Sequence, residues 1–240
     1  MVRKIFMLVF FLISGFLVYQ LVGSNMETSK VLSPIYQGDP ARKYVAFTVN
    51  VDWGGEYLPQ MLSLFEEHEI KGAFFLTGRW VSENPELTKK IAESGHEIGN
   101  HGYSHPHVNN LSLEENIEEI KKTSEIIYQL TGEKTRFFAP PYGEYNEVVL
   151  KAAEKTGHQT VMWTVDTLDW KNPPHEWIVS RVLARLHNGA IILMHPTAPT
   201  LKALPGIIAG IRDQGYQVKP LEILVSEASP PGGRWPLSGD

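Results

Sequence analysis

The chain has no cysteine in 240 residues. That excludes a disulfide framework and thiolate chemistry, and it is compatible with either a cytosolic or a bacterial exported protein. It also lacks a basic patch: the formal net charge is -5 and the 22 Lys and Arg are scattered, so nucleic acid is not expected as a partner. No glycine-rich phosphate loop and no Gly-x-Gly-x-x-Gly fingerprint follows a predicted strand, which removes the usual cradle for nucleotides. Ser104 has Gly102 before it but His105 and Pro106 after it, so the nucleophile elbow of serine hydrolases is absent. No short repeat is present, which excludes a solenoid.

What is present begins with Arg3 and Lys4 ahead of an almost wholly apolar run from Ile5 to Val22. A run close to the ~20 residues needed to cross a bilayer, without a clear small-x-small cleavage site, predicts a membrane anchor over residues 1–25. A core helix is seldom apolar on all faces over such a length. The leading positive charges should remain cytoplasmic and leave the rest of the chain outside; cleavage near Gly23 or Ser24 would give a secreted protein instead. Residues 26–42, with Pro34, Gly38 and Pro40, read as a linker, 43–225 as the folded domain, and 226–240, with Pro230, Pro231, Gly232 and Gly233, as a loosely ordered tail.

From Tyr44 short β-branched runs alternate with amphipathic stretches, the pattern of βα units around a parallel sheet. Seven strands are predicted: Val45 to Val51, Gly72 to Leu76, His96 to Gly99, Arg136 to Ala139, Thr160 to Val165, Ala190 to Met194, and Gln217 to Val218. Leu58, Met61, Leu62 and Phe65 form one helical stripe, and Trp177, Ile178, Val182 and Leu186 another. Ser112 with Glu115 is a capping box opening a helix that carries Ile117, Ile120, Ile127 and Leu130 and stops at Gly132. Gly95 and Gly157 close two more. The fold class that follows is α/β, a distorted or incomplete (β/α) barrel with about seven parallel strands.

The conspicuous polar residues fall where these strands end: Asn50 and Asp52, His101 and His105, Asp166 and Asp169, and His195. In a βα barrel those ends share one face, the face on which barrel enzymes carry their sites. Gly102 and Pro106 make the His101 to His105 segment a loop, so the helical argument for two histidines on one face does not apply, and a pair at this spacing is by itself more often two satisfied histidines than a metal site. Two neutral imidazoles with one carboxylate, for which Asp52 is the best candidate, are however a common set for zinc or a similar divalent ion. Asp52 also suits a plain turn before Gly54 and Gly55. His195 emerges from the apolar strand Ile191 to Met194, placed for a general acid or base, and a carboxylate from Asp166 or Asp169 near it would fix its tautomer.

Taken together these residues resemble the polysaccharide deacetylases of carbohydrate esterase family four, from about Tyr44 to Glu222. The segments that carry the likeness are Gly95-His-Glu-Ile-Gly-Asn-His101-Gly-Tyr-Ser-His105-Pro, Arg136-Phe-Phe-Ala-Pro-Pro-Tyr-Gly143, Trp163-Thr-Val-Asp-Thr-Leu-Asp169-Trp, and Ile192-Leu-Met-His195. The resemblance implies hydrolysis of N-acetyl groups from N-acetylglucosamine units of a cell-wall polysaccharide, peptidoglycan or a chitin-like glycan. It implies one divalent metal ion, zinc first, with cobalt, nickel or manganese as alternatives, held by Asp52, His101 and His105. Such an ion lowers the pKa of its bound water while a base takes the water proton and His195 protonates the leaving amine. It sets Pro140, Tyr142, Trp170 and Leu193 against substrate, with the amide beside Tyr142 as an oxyanion donor.

Two departures accompany the likeness. The family's first motif usually carries two aspartates, and aligning Asp52 with the metal ligand leaves the base position to Asn50, an amide that cannot accept a proton usefully at neutral pH. The arginine that in the family resembles the partner of that base is here Ala139. The paired absence looks like a membrane-anchored, sporulation-associated subgroup. It also sets a rival beside the hydrolase: a catalytically silent, metal- and glycan-binding domain at the cell surface. A metal-free scaffold for membrane partners is a third expectation.

Overall fold

A computed structural model describes residues 32–226; the apolar run from Ile5 to Val22 and the tail beyond Ser226 lie outside that range. Among the described residues no helix is long and apolar enough to cross a membrane. The strands are β1 (Tyr44–Val51), β2 (Ala73–Leu76), β3 (Glu97–Asn100), β4 (Phe137–Phe138), β5 (Gln159–Thr160), β6 (Val165–Asp166), β7 (Ala190–Met194) and β8 (Gln217–Val218). They form one sheet in the order β5-β4-β3-β2-β1-β7-β6, with β8 also paired to β1. Every named pair is parallel.

The sheet curls because the two edge strands belong to one segment. A single strand was predicted from Thr160 to Val165, and the structure breaks it in two. The Val161 N–H bonds to Phe138 on the β4 side, whereas the Thr164 N–H bonds to Ile191 on the β7 side. The chain between them crosses from one edge to the other, so a ladder fit for one flat strand is traded for barrel closure. This is the distorted barrel that the βα pattern predicts.

Alternation along β1 sorts its side chains. Val45, Phe47, Val49 and Val51 pack into the layer between sheet and helices, and Ala46 into the barrel interior. With a period of two, Thr48, Asn50 and Asp52 follow Ala46 inward. On β7, Ala190, Ile192 and Met194 join the outer layer and Ile191 the interior, so Leu193 and His195 also face in. Each of the larger outer-layer side chains contributes roughly 1.5–3 kcal/mol by burial, and that layer fixes the register that aims the polar set.

The helices confirm the periodicity in most places. Leu58, Met61, Leu62 and Phe65 are all buried in the helix α1 (Leu58–Glu67). Ser112 and Glu115 make the reciprocal capping box of the helix Leu113–Thr131, which Gly132 ends in a left-handed conformation. In the helix His175–Leu183, Ile178 and Val182 are buried, but Trp177 is exposed and Leu186 lies beyond the helix end, so that stripe is narrower than predicted.

Of the expected linker over 26–42, residues 26–31 lie outside the described range, and the described part is docked on the domain. Ser33 onward belongs to the compact unit that contains the barrel. The Ile35 N–H bonds to Thr160, the Met162 N–H to Ile35, and the Gly38 N–H to Gly189. Residues 35–38 therefore run across the open side near β5 and β7. Proline and glycine content suggested a tether, but these backbone groups are spent on the domain.

Candidate active site

The inward residues at the strand ends line one cleft of about 470 Å³, with Asn50, Asp52, His101, His105, Tyr142, Asp166, Trp170, Leu193 and His195 among its walls. All the strand-end polar residues except Asp169 reach it. Asp169 lies behind the wall, and that placement explains its role.

Asp169 is 1% exposed and accepts three hydrogen bonds. The His195 ring Nδ1 lies 2.8 Å from Oδ1, and the His195 backbone N–H and the Thr200 hydroxyl donate to Oδ2 at 2.6 and 2.5 Å. A buried carboxylate is tolerated when its lone pairs are filled this way. The contact sets Nδ1 as the protonated nitrogen of neutral His195 and leaves Nε2 for the cleft. Asp166 takes no part in this. Its Oδ1 accepts the Leu168 N–H at 2.8 Å and its backbone carbonyl accepts Arg181 Nε; burial holds its carboxyl above the usual aspartate range. Of the two acids read as partners for His195, only Asp169 is one.

His101 is buried, and its Nδ1 lies 2.7 Å from the carbonyl of Ala139. That assigns the proton to Nδ1 and the lone pair to Nε2, the arrangement of a metal-ligating imidazole. Burial is the main cause that pushes its pKa down to about 3, with His105 adding to it. Burial also lowers the pKa of His105, whose backbone sits in the left-handed region at φ 56°. The two rings meet edge to face with centroids 5.0 Å apart. Their loop is tied down by Glu119, whose carboxylate accepts the Tyr103 and Ser104 N–H groups and the Ser104 hydroxyl at 2.7–2.9 Å. As expected from Gly102 and Pro106, no helix forms between the histidines.

Asp52 is occupied otherwise. Arg79 donates from Nε to Oδ1 at 2.7 Å and from Nη2 to Oδ2, and the Thr77 hydroxyl donates to Oδ1 at 2.7 Å. Burial opposes its charge, but the bonds from Arg79 and then Thr77 prevail and hold its pKa below the usual range. Among the described residues no three His, Asp or Glu side chains are gathered closely enough to hold a metal ion. Two neutral imidazoles suit a divalent cation; a carboxylate already neutralised by a guanidinium fork does not. The three-residue set as it stands therefore does not fit the ion the resemblance implies.

Asn50 is 6% exposed and its Oδ1 has no hydrogen-bond partner. It faces the cleft where the base is expected. Ala139 is buried in the interior cluster with Phe75 and Phe137, so apolar packing fills the place of the absent arginine.

Four aromatic side chains, Trp53, Tyr142, Trp163 and Trp170, line the cleft. Trp53 lies parallel to the His195 ring, with centroids 6.0 Å apart and planes at 5°. A side chain at Gly54 would strike the Pro196 carbonyl at 2.1 Å, so glycine there lets the Trp53 loop close onto the His195 turn. Tyr142 adopts φ 58° and stacks on His107 at 4.2 Å. A side chain at Gly143 would meet the Trp163 ring at 2.7 Å. Pro140 is not in the wall; its carbonyl accepts the Gly143 N–H and shapes this turn. Sequence reasoning missed Arg79, Thr200 and the wall role of Trp53 and Trp163. Trp53 could have been found from its place beside Asp52; Arg79 and Thr200 carried no local signal.

Comparison with known proteins gives the family. A family model described as polysaccharide deacetylase matches residues 37–161. The uncharacterized protein YlxY of Bacillus subtilis is 45% identical over 88% of this chain, which spans 66% of that protein's length. The peptidoglycan-N-acetylmuramic acid deacetylase PdaA of Bacillus subtilis is 31% identical over 80% of this chain and 75% of its own. Among solved structures, BA3943 of Bacillus anthracis, described as a CE4 family pseudoenzyme, superposes with a TM-score of 0.81 at 43% identity, covering 83% of this chain and 71% of that one. A BA3943 mutant described as having restored enzymatic activity matches with the same TM-score at 42% identity, covering 83% and 74%.

Proposed function

The chain belongs to the polysaccharide deacetylase family, and from that premise we propose that its cleft binds N-acetylated cell-wall glycan without turning it over at the rate of a complete deacetylase. The observation that carries this reading is Asn50: the group at the base position is a buried amide whose oxygen has no partner. An amide cannot take a proton from water, and losing a general base costs ~10²–10⁴ in rate. The open wall of Trp53, Tyr142 and Trp170 supports binding, because aromatic faces cover the apolar faces of sugar rings and their N–H and O–H groups satisfy hydroxyls. The pseudoenzyme description of the similar Bacillus anthracis protein is in keeping with it. The amide of Asn50 then serves as a hydrogen-bonding group for the acetamido side chain.

A second reading has an observation of its own. The Asp169–His195 pair is complete, with Nε2 left to the cleft, where the imidazolium form of His195, stabilised by Asp169, would protonate a leaving amine. This favours a hydrolase acting on N-acetylglucosamine units of peptidoglycan or a chitin-like glycan, with another group as base. In either reading we place the domain outside the membrane, on the strength of the Ile5 to Val22 run. Calorimetric binding of N-acetylglucosamine oligomers and peptidoglycan fragments, paired with an acetate-release assay, separates the two. Binding with no acetate above a His195→Ala control is the expected result; sustained release that His195→Ala abolishes establishes the hydrolase.

A further inference from the structure

We infer that Arg79 is an internal counter-ion that holds Asp52 in the place of a metal, so that the Asp52, His101 and His105 set is closed to divalent cations until the guanidinium is withdrawn.

A carboxylate offers about four lone-pair positions. Arg79 takes one on each oxygen, and the Thr77 hydroxyl takes a second on Oδ1. The fork is the bidentate geometry that makes arginine the strongest side-chain partner of a carboxylate. Asp52 is 10% exposed, so the pair is poorly screened from its side. A dication coordinated by His101 and His105 would have to share Asp52 with a fixed positive charge, or do without it.

The position of Arg79 is built in. Thr77, Gly78 and Arg79 bond through their backbone N–H groups to Val51, Gly102 and Tyr103, each at 3.0 Å. One short stretch is thus tied to the strand that delivers Asp52 and to the loop that delivers the histidines. Thr77 also caps the helix that follows, accepting the Trp80 N–H at 3.4 Å. The same charge faces His105. It also faces Glu83, one helical turn further on, where a released guanidinium would find an alternative partner.

The inference rests on these side chains and not on the glycan reading, so its failure would leave that reading untouched. The test is zinc titration of the purified domain against a chromophoric chelator, with cobalt absorption reporting the ligand set. Wild type is expected to bind zinc weakly, and Arg79→Met roughly 10- to 100-fold more tightly, the range for changing the partner of a metal ligand. In the Arg79→Met background, Asp52→Asn should remove the gain and alter the cobalt spectrum. Arg79→Lys, which keeps the charge but cannot make the fork, should fall between. Equal affinity of wild type and Arg79→Met, or a gain that survives Asp52→Asn, overturns the inference. Should the Arg79 variants fail to fold, wild type decides. Zinc uptake removed by His101→Ala and kept by Asp52→Ala supports the counter-ion role; tight uptake that Asp52→Ala abolishes overturns it.

Discussion

Two buried polar atoms without a hydrogen-bond partner stand out among the described residues, and they lie at opposite ends of the barrel. At the mouth it is Oδ1 of Asn50; at the floor it is Oε2 of Glu97, the first residue of β3. Glu97 has Arg136 3.5 Å from its other oxygen, but Arg136 is drawn to Glu222 at 2.6 Å. Burial pushes the Glu97 carboxyl up to about 7. A carboxyl can relieve its burial by taking up a proton, whereas an amide has no such recourse and is relieved only by a ligand or water. The floor has a titration and the mouth has a vacancy for a hydrogen bond. Of the carboxylates around the mouth, Asp52 in the wall and Asp169 behind it each accept three hydrogen bonds and Asp166 accepts the Leu168 N–H, so Asn50 is conspicuous against partnered neighbours.

The largest expected effect comes from converting the mouth to the titrating kind. In an Arg79→Met background, which opens the Asp52, His101 and His105 set to zinc, Asn50→Asp with Ala139→Arg should raise zinc-supplemented acetate release from N-acetylglucosamine oligomers on the order of 10²-fold over the Arg79→Met parent, while either change alone gains little. Ala139 sits in apolar packing, so part of the gain is offset by an overpacking cost of ~1–3 kcal/mol. High wild-type release unchanged by either substitution would mean that another group is the base.

Asp169→Ala tests whether saturation matters as much as vacancy. It leaves the His195 N–H and the Thr200 hydroxyl without their acceptor, and urea unfolding should show a loss of about 1–3 kcal/mol. A variant as stable as wild type would mean that the carboxylate's own burial cancels its bonds.

At the floor the contrast is one of pH. Because the folded pKa of Glu97 is raised from 4.5 to about 7, the folded state holds a proton that the unfolded state has lost. This contribution to stability is neutral below pH 4.5 and becomes more unfavourable as pH rises to about 7, by up to ~3 kcal/mol. His96 and His158, each pushed down to about 4 chiefly by burial, act the other way: they lose stability as pH falls from 6.5 to 4. The informative quantity is therefore the difference between Glu97→Gln and wild type at each pH. It should grow in favour of the variant from pH 4.5 to 7, and a constant difference would remove the floor's titration from the comparison.

The smallest effects belong to the cleft walls. Trp53→Ala or Trp170→Ala should weaken glycan binding by roughly 3- to 10-fold, corresponding to ~0.5–1.5 kcal/mol per aromatic contact, and leave the unfolding midpoint nearly unchanged. Unaltered affinity in both would move the glycan away from this cleft.

The amino-acid sequence by itself determined the barrel and most of the polar residues at its mouth. Apolar periodicity of two and 3.6 is a local property, and it put Asn50, Asp52, His101 and His195 at strand ends and Ser112, Glu115 and Gly132 at helix ends. The packing that saturates or spares each polar group belongs to the tertiary structure. Arg79 reaches Asp52 across 27 positions and Thr200 reaches Asp169 across 31, separations over which no spacing rule operates. The same holds for the split of the fifth strand and the docking of residues 35–38, which depend on how a curled sheet closes on itself. Residue types fixed which groups could bind a metal or move a proton. Whether each was free to do so depended on which donors three-dimensional packing had already brought to it, because a lone pair in a buried cleft is filled by its nearest neighbour in space.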